Sequence, residues 1–250
     1  MKQINLNFLI ILVCTLPYLA IGQDAGKNMR FGAQLSPTVS WMTSDHSKVL
    51  GGGVDVGLKV GAQAEFGFAE NYFFTVGIGF GLNHGGKLQF ANGGDLLPNS
   101  LLSDEVPESI RNNFEPDTKI NYKLNYLEVP LGLKLRTREY GYIRYFAEIP
   151  IITLSAVTSA KGSIDASNLD VNKENIKKDV KQLNAQWGLG GGFEYNFSET
   201  NAILFGLYYH QGFFDMTKKR GSSDGKEVNH LISLKAVSYT HLTLPTSDLV

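Results

Sequence analysis

Cysteine is nearly absent from this chain of 250 residues: there is one, Cys14. A disulfide framework and a cysteine-rich metal site are therefore excluded. Proline is scarce at 8 residues, so few positions are barred from donating to a β-ladder. No uninterrupted apolar run reaches the ~18 residues of a membrane-crossing helix, which excludes a helical membrane bundle. An excess of one charge is missing too: 23 Lys and Arg face 24 Asp and Glu, for a formal net charge of −1. That balance gives no reason to expect a nucleic-acid or other polyanionic partner. What the chain has instead is glycine (27 residues), phenylalanine (15) and tyrosine (11). With half-apolar strands, this composition suits a β-barrel with aromatic girdles.

The N-terminus reads as a signal peptide over residues 1–22. Lys2 supplies the charge, residues 8–19 the apolar core, and Ala20-Ile21-Gly22 the small-residue end before Gln23. Cys14 lies inside this segment, and Val13 is a poor residue to precede a lipidated cysteine. The apolar run is too short for an anchor. The mature chain, expected from residue 23, then holds no cysteine.

The most informative stretch is VDVGLKVGAQAEFGF, residues 54–68. Val54, Val56, Leu58, Val60, Ala62, Ala64, Phe66 and Phe68 alternate with Asp55, Gly57, Lys59, Gly61, Gln63, Glu65 and Gly67. Strand side chains alternate faces, so one face is apolar and the other carries charge. Its 15 residues exceed the ~9–11 that a tilted strand needs to cross a bilayer. Similar alternation recurs at residues 30–41, 72–83, 119–136, 142–158, 183–197 and 202–213, and an eighth strand begins at Val228. In 119–136 the apolar set changes phase near Tyr126, which marks a bulge or the membrane boundary. In 142–158, Ile143, Tyr145, Ala147, Ile149 and Ile151 are placed on the lipid face. Short turns at 69–71, 137–141 and 198–201 alternate with longer connections, the asymmetry of short periplasmic turns and long outer loops. The expected fold is all-β: an eight-stranded antiparallel up-and-down transmembrane β-barrel over residues 23–236, in the outer membrane. Residues 84–118 and 159–182 form its long loops, with a short helix at 103–114 capped by Ser103 and a helical turn at 173–180.

Residues 237–246, VSYTHLTLPT, resemble the in-frame translation of a sequencing-library adapter. The expectation is that 237–250 is non-native. Within the barrel, YLEVPLGLK at 126–134 resembles the fourth-strand motif of the PorT-like outer-membrane β-barrel family. The likeness extends loosely over 31–236. It implies an eight-stranded barrel in a Gram-negative outer membrane; the family's founding name attaches to secretion, and no residue here supports carrying that role over.

Candidate function resides in inward charges. Glu128-Val129-Pro130 and Glu148-Ile149-Pro150 form a near repeat on adjacent strands. With the hairpin centred near Glu139, Glu128 faces Pro150, Glu148 faces Pro130 and Lys134 faces Arg144, each proline at a bulge. The expected lumenal cluster is Glu128, Glu148, Lys134 and Arg144, with Asp55, Lys59, Glu65 and Glu194 nearby. Eight strands leave an interior that side chains just fill, so these charges are expected to neutralise one another rather than conduct. Trp41, Tyr72, Phe74, Tyr195, Phe197, Tyr208 and Tyr209 read as an interfacial belt. No catalytic or metal residues and no cofactor are expected: Gly188–Phe193 lacks the Lys-Ser/Thr of a P-loop, and His46, His84, His210 and His230 lack ligand spacing. The expected partners are outer-membrane lipid, the barrel assembly machinery, and proteins or ligands met by residues 84–118 and 159–182. The role implied is a non-catalytic anchor or interaction scaffold; a small passive pore or a secretion-associated component is the alternative.

Overall fold

The computed structural model describes residues 29–167, 169–198, 200–218 and 225–241. The expected signal peptide, Cys14 and residues 242–250 lie outside the described residues. Eight strands close into an antiparallel ring: β1 (Met29–Ser44), β2 (Val49–Ala69), β3 (Tyr72–Leu82), β5 (Thr118–Arg136), β6 (Ile143–Ala166), β8 (Leu183–Asn196), β9 (Asn201–Gly212) and β10 (Glu227–His241), with β10 pairing back to β1. Closure removes the sheet edges that hydrocarbon would not tolerate.

The alternation fixes which face is wet. Val54 and Val56 are 57% and 69% exposed on the outside of the ring, whereas Asp55 and Lys59 are buried. On β1, Phe31, Leu35 and Val39 point out while Arg30, Ser36, Thr38 and Ser40 are buried. An apolar exterior around a polar interior is the reverse of a soluble protein, and it fits hydrocarbon outside.

Two short strands extend the ring on the side of the long connections. β4 (Gly86–Phe90) pairs with the upper parts of β2 and β5 and so prolongs β3 after a break at residues 83–85, where Asn83 adopts φ 59°. β7 (Leu169–Asn175) folds back on the top of β6. The segment expected to be loop at 159–182 is thus largely a hairpin. Ala160, Gly162, Ile164 and Val171 are buried within it, and this inward alternation outweighs the surrounding lysines and asparagines. Lys173 belongs to β7 rather than to a helical turn. The expected helix at 103–114 shrinks to α1 (Glu108–Arg111), preceded by Pro107. Ser103 does not cap it; its hydroxyl donates to Glu174 at 2.5 Å.

The phase change in β5 has a specific cause. Tyr122, Leu124, Tyr126, Glu128 and Lys134 all face inward, so the strand never turns over. What changes near Tyr126 is polarity: the inner face is apolar at Ile120–Tyr126 and charged below. The expected boundary lies here, and the accompanying bulge belongs to β6, which carries an extra residue between Val157 and Ser159. A second extra residue in β6, between Glu148 and Ile151, shifts the register against both β5 and β8. It turns Ile151 inward, correcting the lipid-facing expectation, and it sets Lys134 opposite Glu148 rather than Arg144. The turn is centred near Gly141, at φ 67°, not near Glu139. Pro150 therefore sits at a bulge. Pro130 does not: it faces Thr153 in continuous β5–β6 register, beside a gap in the β3–β5 ladder between Val76 and Gly79.

β10 runs five residues into the stretch expected to be non-native. There Val237 and Tyr239 face inward, while Ser238 and Thr240 face out beside Phe31, Ala33 and Ile203, reversing the outward apolarity of neighbouring strands.

The orientation has a direct test. Ile78→Arg, midway along the outer face of β3, is expected to cost about 2–4 kcal/mol of unfolding free energy in lipid vesicles, against less than ~1 kcal/mol for Lys161→Leu above the boundary. Guanidinium titration followed by tryptophan fluorescence measures both.

Candidate functional site

The lumen holds three layers of side chains. In the layer nearest the short turns, Arg30 of β1 grips two carboxylates. Its Nε and Nη2 donate to Glu65 at 2.8 and 2.6 Å, and Nη1 and Nη2 donate to Glu194 at 2.5 Å each. Arg136 Nη1 adds a bond to Glu194 at 3.0 Å, and Lys134 Nζ donates to Glu65. Such bidentate geometry is what the planar guanidinium favours. Arg30, Glu65, Lys134 and Glu194 are each no more than 1% exposed. Aromatic faces cover the cations: the Arg136 guanidinium lies 4.0 Å from the centre of the Phe73 ring, and Lys134 Nζ lies 4.6 Å from that of Phe146.

In the middle layer Glu148 accepts from Thr75 Oγ1 at 2.6 Å and from the Tyr208 hydroxyl at 2.8 Å, with Lys235 Nζ at 3.6 Å. Above it Lys59 Nζ pairs with Glu128 at 2.8 Å. His84, held inward by the break between β3 and β4, has Nδ1 3.5 Å from Glu128 Oε1 and Nε2 3.1 Å from Thr38 Oγ1. Between these layers lies a cavity of about 40 Å³ against the glycine wall of Gly61, Gly77 and Gly79, with Lys59, Glu148 and His210 around it. That volume admits a few water molecules.

A third, apolar layer closes the outer mouth. Leu96, Leu97, Leu102, Val106 and Phe114, from the connection between β4 and β5, pack on Phe90, Ile120, Leu124, Tyr126, Ile164 and Val171. Carboxylates pin this connection from the β7 side. Glu174 accepts from Ser103, and Asp179 accepts from the Asn99 backbone at 3.0 Å and its side chain at 2.7 Å.

Of the eight charges expected to cluster, Glu65, Glu128, Glu148, Glu194, Lys59 and Lys134 enter these networks. Arg144 does not: the shifted hairpin leaves it at the rim, bonded to Glu139 at 2.6 Å. Asp55 is buried but is held by Asn121 at 3.4 Å, outside the ion-paired set. Tyr208, expected in the outer belt, faces the lumen instead, because β9 carries its even residues inward. Arg30, Arg136 and Lys235 were not anticipated. Each carries inward parity, but Arg30 and Arg136 sit at strand ends, where a charge reads as a boundary. Trp41, Tyr72, Phe74, Tyr195 and Phe197 remain on the outside near strand ends. Trp187, Tyr209, His230 and Trp41 form a row of ring contacts across four adjacent strands, with centroids 5.4–6.2 Å apart.

Thr38, His84 and Glu128 have the connectivity of a hydroxyl–imidazole–carboxylate relay. All three are buried, and Lys59 already holds the carboxylate. Among the described residues no group of three or more His, Cys, Asp or Glu is arranged to hold a metal ion, and no helix is long and apolar enough to cross a membrane.

Residues 18–218 match the family described as outer membrane protein beta-barrel domain. The chain belongs to this family. It is a protein of the outer membrane, and the apolar belt around β1–β10 is its lipid face. Several solved barrels of this kind are similar in fold. OprG from Pseudomonas aeruginosa shares 9% identity over 87% of this chain and 98% of its own, with a TM-score of 0.46. Neisserial surface protein A shares 13% identity over 85% of this chain and 97% of its own, with a TM-score of 0.42. The outer membrane protease OmpT from Escherichia coli shares 8% identity over 86% and 97%, with a TM-score of 0.42. No curated protein matches the sequence.

Removing one buried partner leaves an uncompensated charge in low dielectric. Glu65→Gln, which strips Arg30 and Lys134 of a shared counter-charge, is expected to destabilise the folded barrel by about 3–5 kcal/mol, whereas Arg144→Gln at the rim costs less than about 1 kcal/mol. The shift in heat-dependent electrophoretic mobility ranks the two variants.

Proposed function

We propose that this outer-membrane barrel is a closed, non-catalytic anchor that presents its outer connections, residues 84–118 and 159–182, to partners or ligands. One observation carries the reading: along the axis the lumen is filled, first by a network of ion pairs and then by an apolar layer. Function on a rigid scaffold resides in its long connections. Here those connections are ordered by strands β4 and β7 and by the Glu174 and Asp179 bonds, so they offer a fixed surface, with Leu101 at 83% exposure at its crown. The buried position of Thr38, His84 and Glu128 supports a structural use of that relay. The YLEVP stretch supports placing the chain near the PorT-like barrels. A secretion-associated role has no residue to support it here.

A passive pore is the second reading, favoured by the cavity beneath Lys59 and Glu128, which is roomy enough for water. Planar-bilayer recording separates the two. The anchor reading expects no steady current from the wild-type barrel, and Glu128→Gln combined with Glu148→Gln lowers its heat resistance without opening one. A steady current from the wild type, or a double variant of unchanged stability with altered conductance, establishes the pore.

A further inference from the structure

On β4, β5 and β6 the outer surface just above the apolar belt is basic, and its charges stand against their own repulsion. On β5 and β6, Lys123 lies directly opposite Lys161. Both are exposed. Like charges directly opposite on paired strands destabilise a sheet. Lys87 of β4 stands opposite Asn121, one inter-strand step away, and Lys177 reaches the Thr158 carbonyl with its Nζ at 3.0 Å. Among the described residues none of these four lysines has a carboxylate within ion-pair distance. Asp55 lies within electrostatic reach of Lys123 and Lys87, but it is buried and turned to Asn121. Asp165 stands opposite Lys119, farther up. The remaining positions around the pair are neutral hydrogen-bonding groups: Asn121 opposite Ser163, Asn125 opposite Ser159, and Asn175 opposite Lys161.

Height decides the partner. The last outward apolar pair below is Leu127 with Ala156, four residues from Lys123. Four residues of strand span about 13 Å, or about 9 Å along the membrane normal at a ~45° tilt. The headgroup zone extends roughly 5–8 Å beyond the hydrocarbon on each side. The lysine ammonium groups, on flexible stems, therefore reach the plane of the lipid phosphates. The geometry points to a docking site for an anionic, phosphate-bearing lipid headgroup of the outer leaflet, held by Lys123 and Lys161 with Lys87 and Lys177 beside them. The headgroup phosphate relieves the cross-strand repulsion, and the amides and hydroxyls around it donate to its remaining oxygens.

The test uses the full chain folded in phosphatidylcholine nanodiscs containing a minor fraction of phosphatidylglycerol, with native mass spectrometry reading retained lipid. The wild type is expected to retain phosphatidylglycerol over phosphatidylcholine. Each boundary lysine removed is expected to cost about fivefold, so Lys123→Gln with Lys161→Gln loses about 25-fold. A control pair, Lys48→Gln with Lys226→Gln, removes the same charge from exposed positions in the β1–β2 and β9–β10 connections, away from the lysine cluster, and is expected to stay within about twofold of the wild type. In pure phosphatidylcholine the boundary double variant is expected to unfold at the wild-type temperature or above, because the repulsion is gone. Equal retention by the wild type and the boundary variant overturns the proposal, as does an equal loss in the control pair. Displacement of the lipid by inorganic phosphate at concentrations comparable to the lipid overturns the lipid as the source of the phosphate.

Discussion

Everything in the lumen follows from the cost of a bare charge where water is scarce. An ionised group taken out of water loses several kcal/mol of solvation, and only a close opposite charge with well-directed hydrogen bonds restores it. Arg30 meets that condition by spanning Glu65 and Glu194, which belong to strands on different sides of the ring. Lys134 and Arg136 add two more cations to the same two carboxylates from β5. The interior of an eight-stranded ring is narrow enough that these side chains meet across it. A wider ring would leave the same charges to water and make a channel of them.

The outer part of the molecule obeys the opposite rule within the same strands. Below Tyr126, β5 turns leucines to lipid and charges to the axis. Above it, tyrosine, leucine and isoleucine turn to the axis and lysines turn out. The backbone parity is unchanged; the solvent outside has changed from hydrocarbon to water. The upper structure is thus an ordinary water-facing β-structure with an apolar core, continuous with a membrane barrel of reversed polarity. That continuity explains why the β4–β5 connection, long and almost free of helix, is nevertheless buried along one side.

Much of this was legible in the residues. Period-two alternation gave the ring, its orientation and most of its inward charges, because a strand spanning lipid has little freedom in which face is apolar. The register between strands was less legible. A single extra residue near Pro150 reverses the assignments on β6 from Ile151 to Val157, until the extra residue before Ser159 restores the parity, and nothing in the local composition announces that the bulge accompanies Pro150 and not Pro130. The outer hairpin of β6 and β7 was obscured by its lysines and asparagines, which occupy only its outer face. Arg30 and Arg136 escaped notice because a charge at a strand end resembles the start of a turn, whereas its long side chain can reach back into the lumen.

The bond between Arg30 and Glu194 has a bearing on how the chain comes together. β1 and β8 are not neighbours; β10 and β9 lie between them on one side of the ring. Their contact forms only when the last strands have joined the first. A partly assembled sheet would therefore hold Arg30 and Glu194 without each other inside a membrane, a state with steep electrostatic cost. Insertion and closure are thereby coupled into one cooperative event, and a half-built ring gains no resting place along the way.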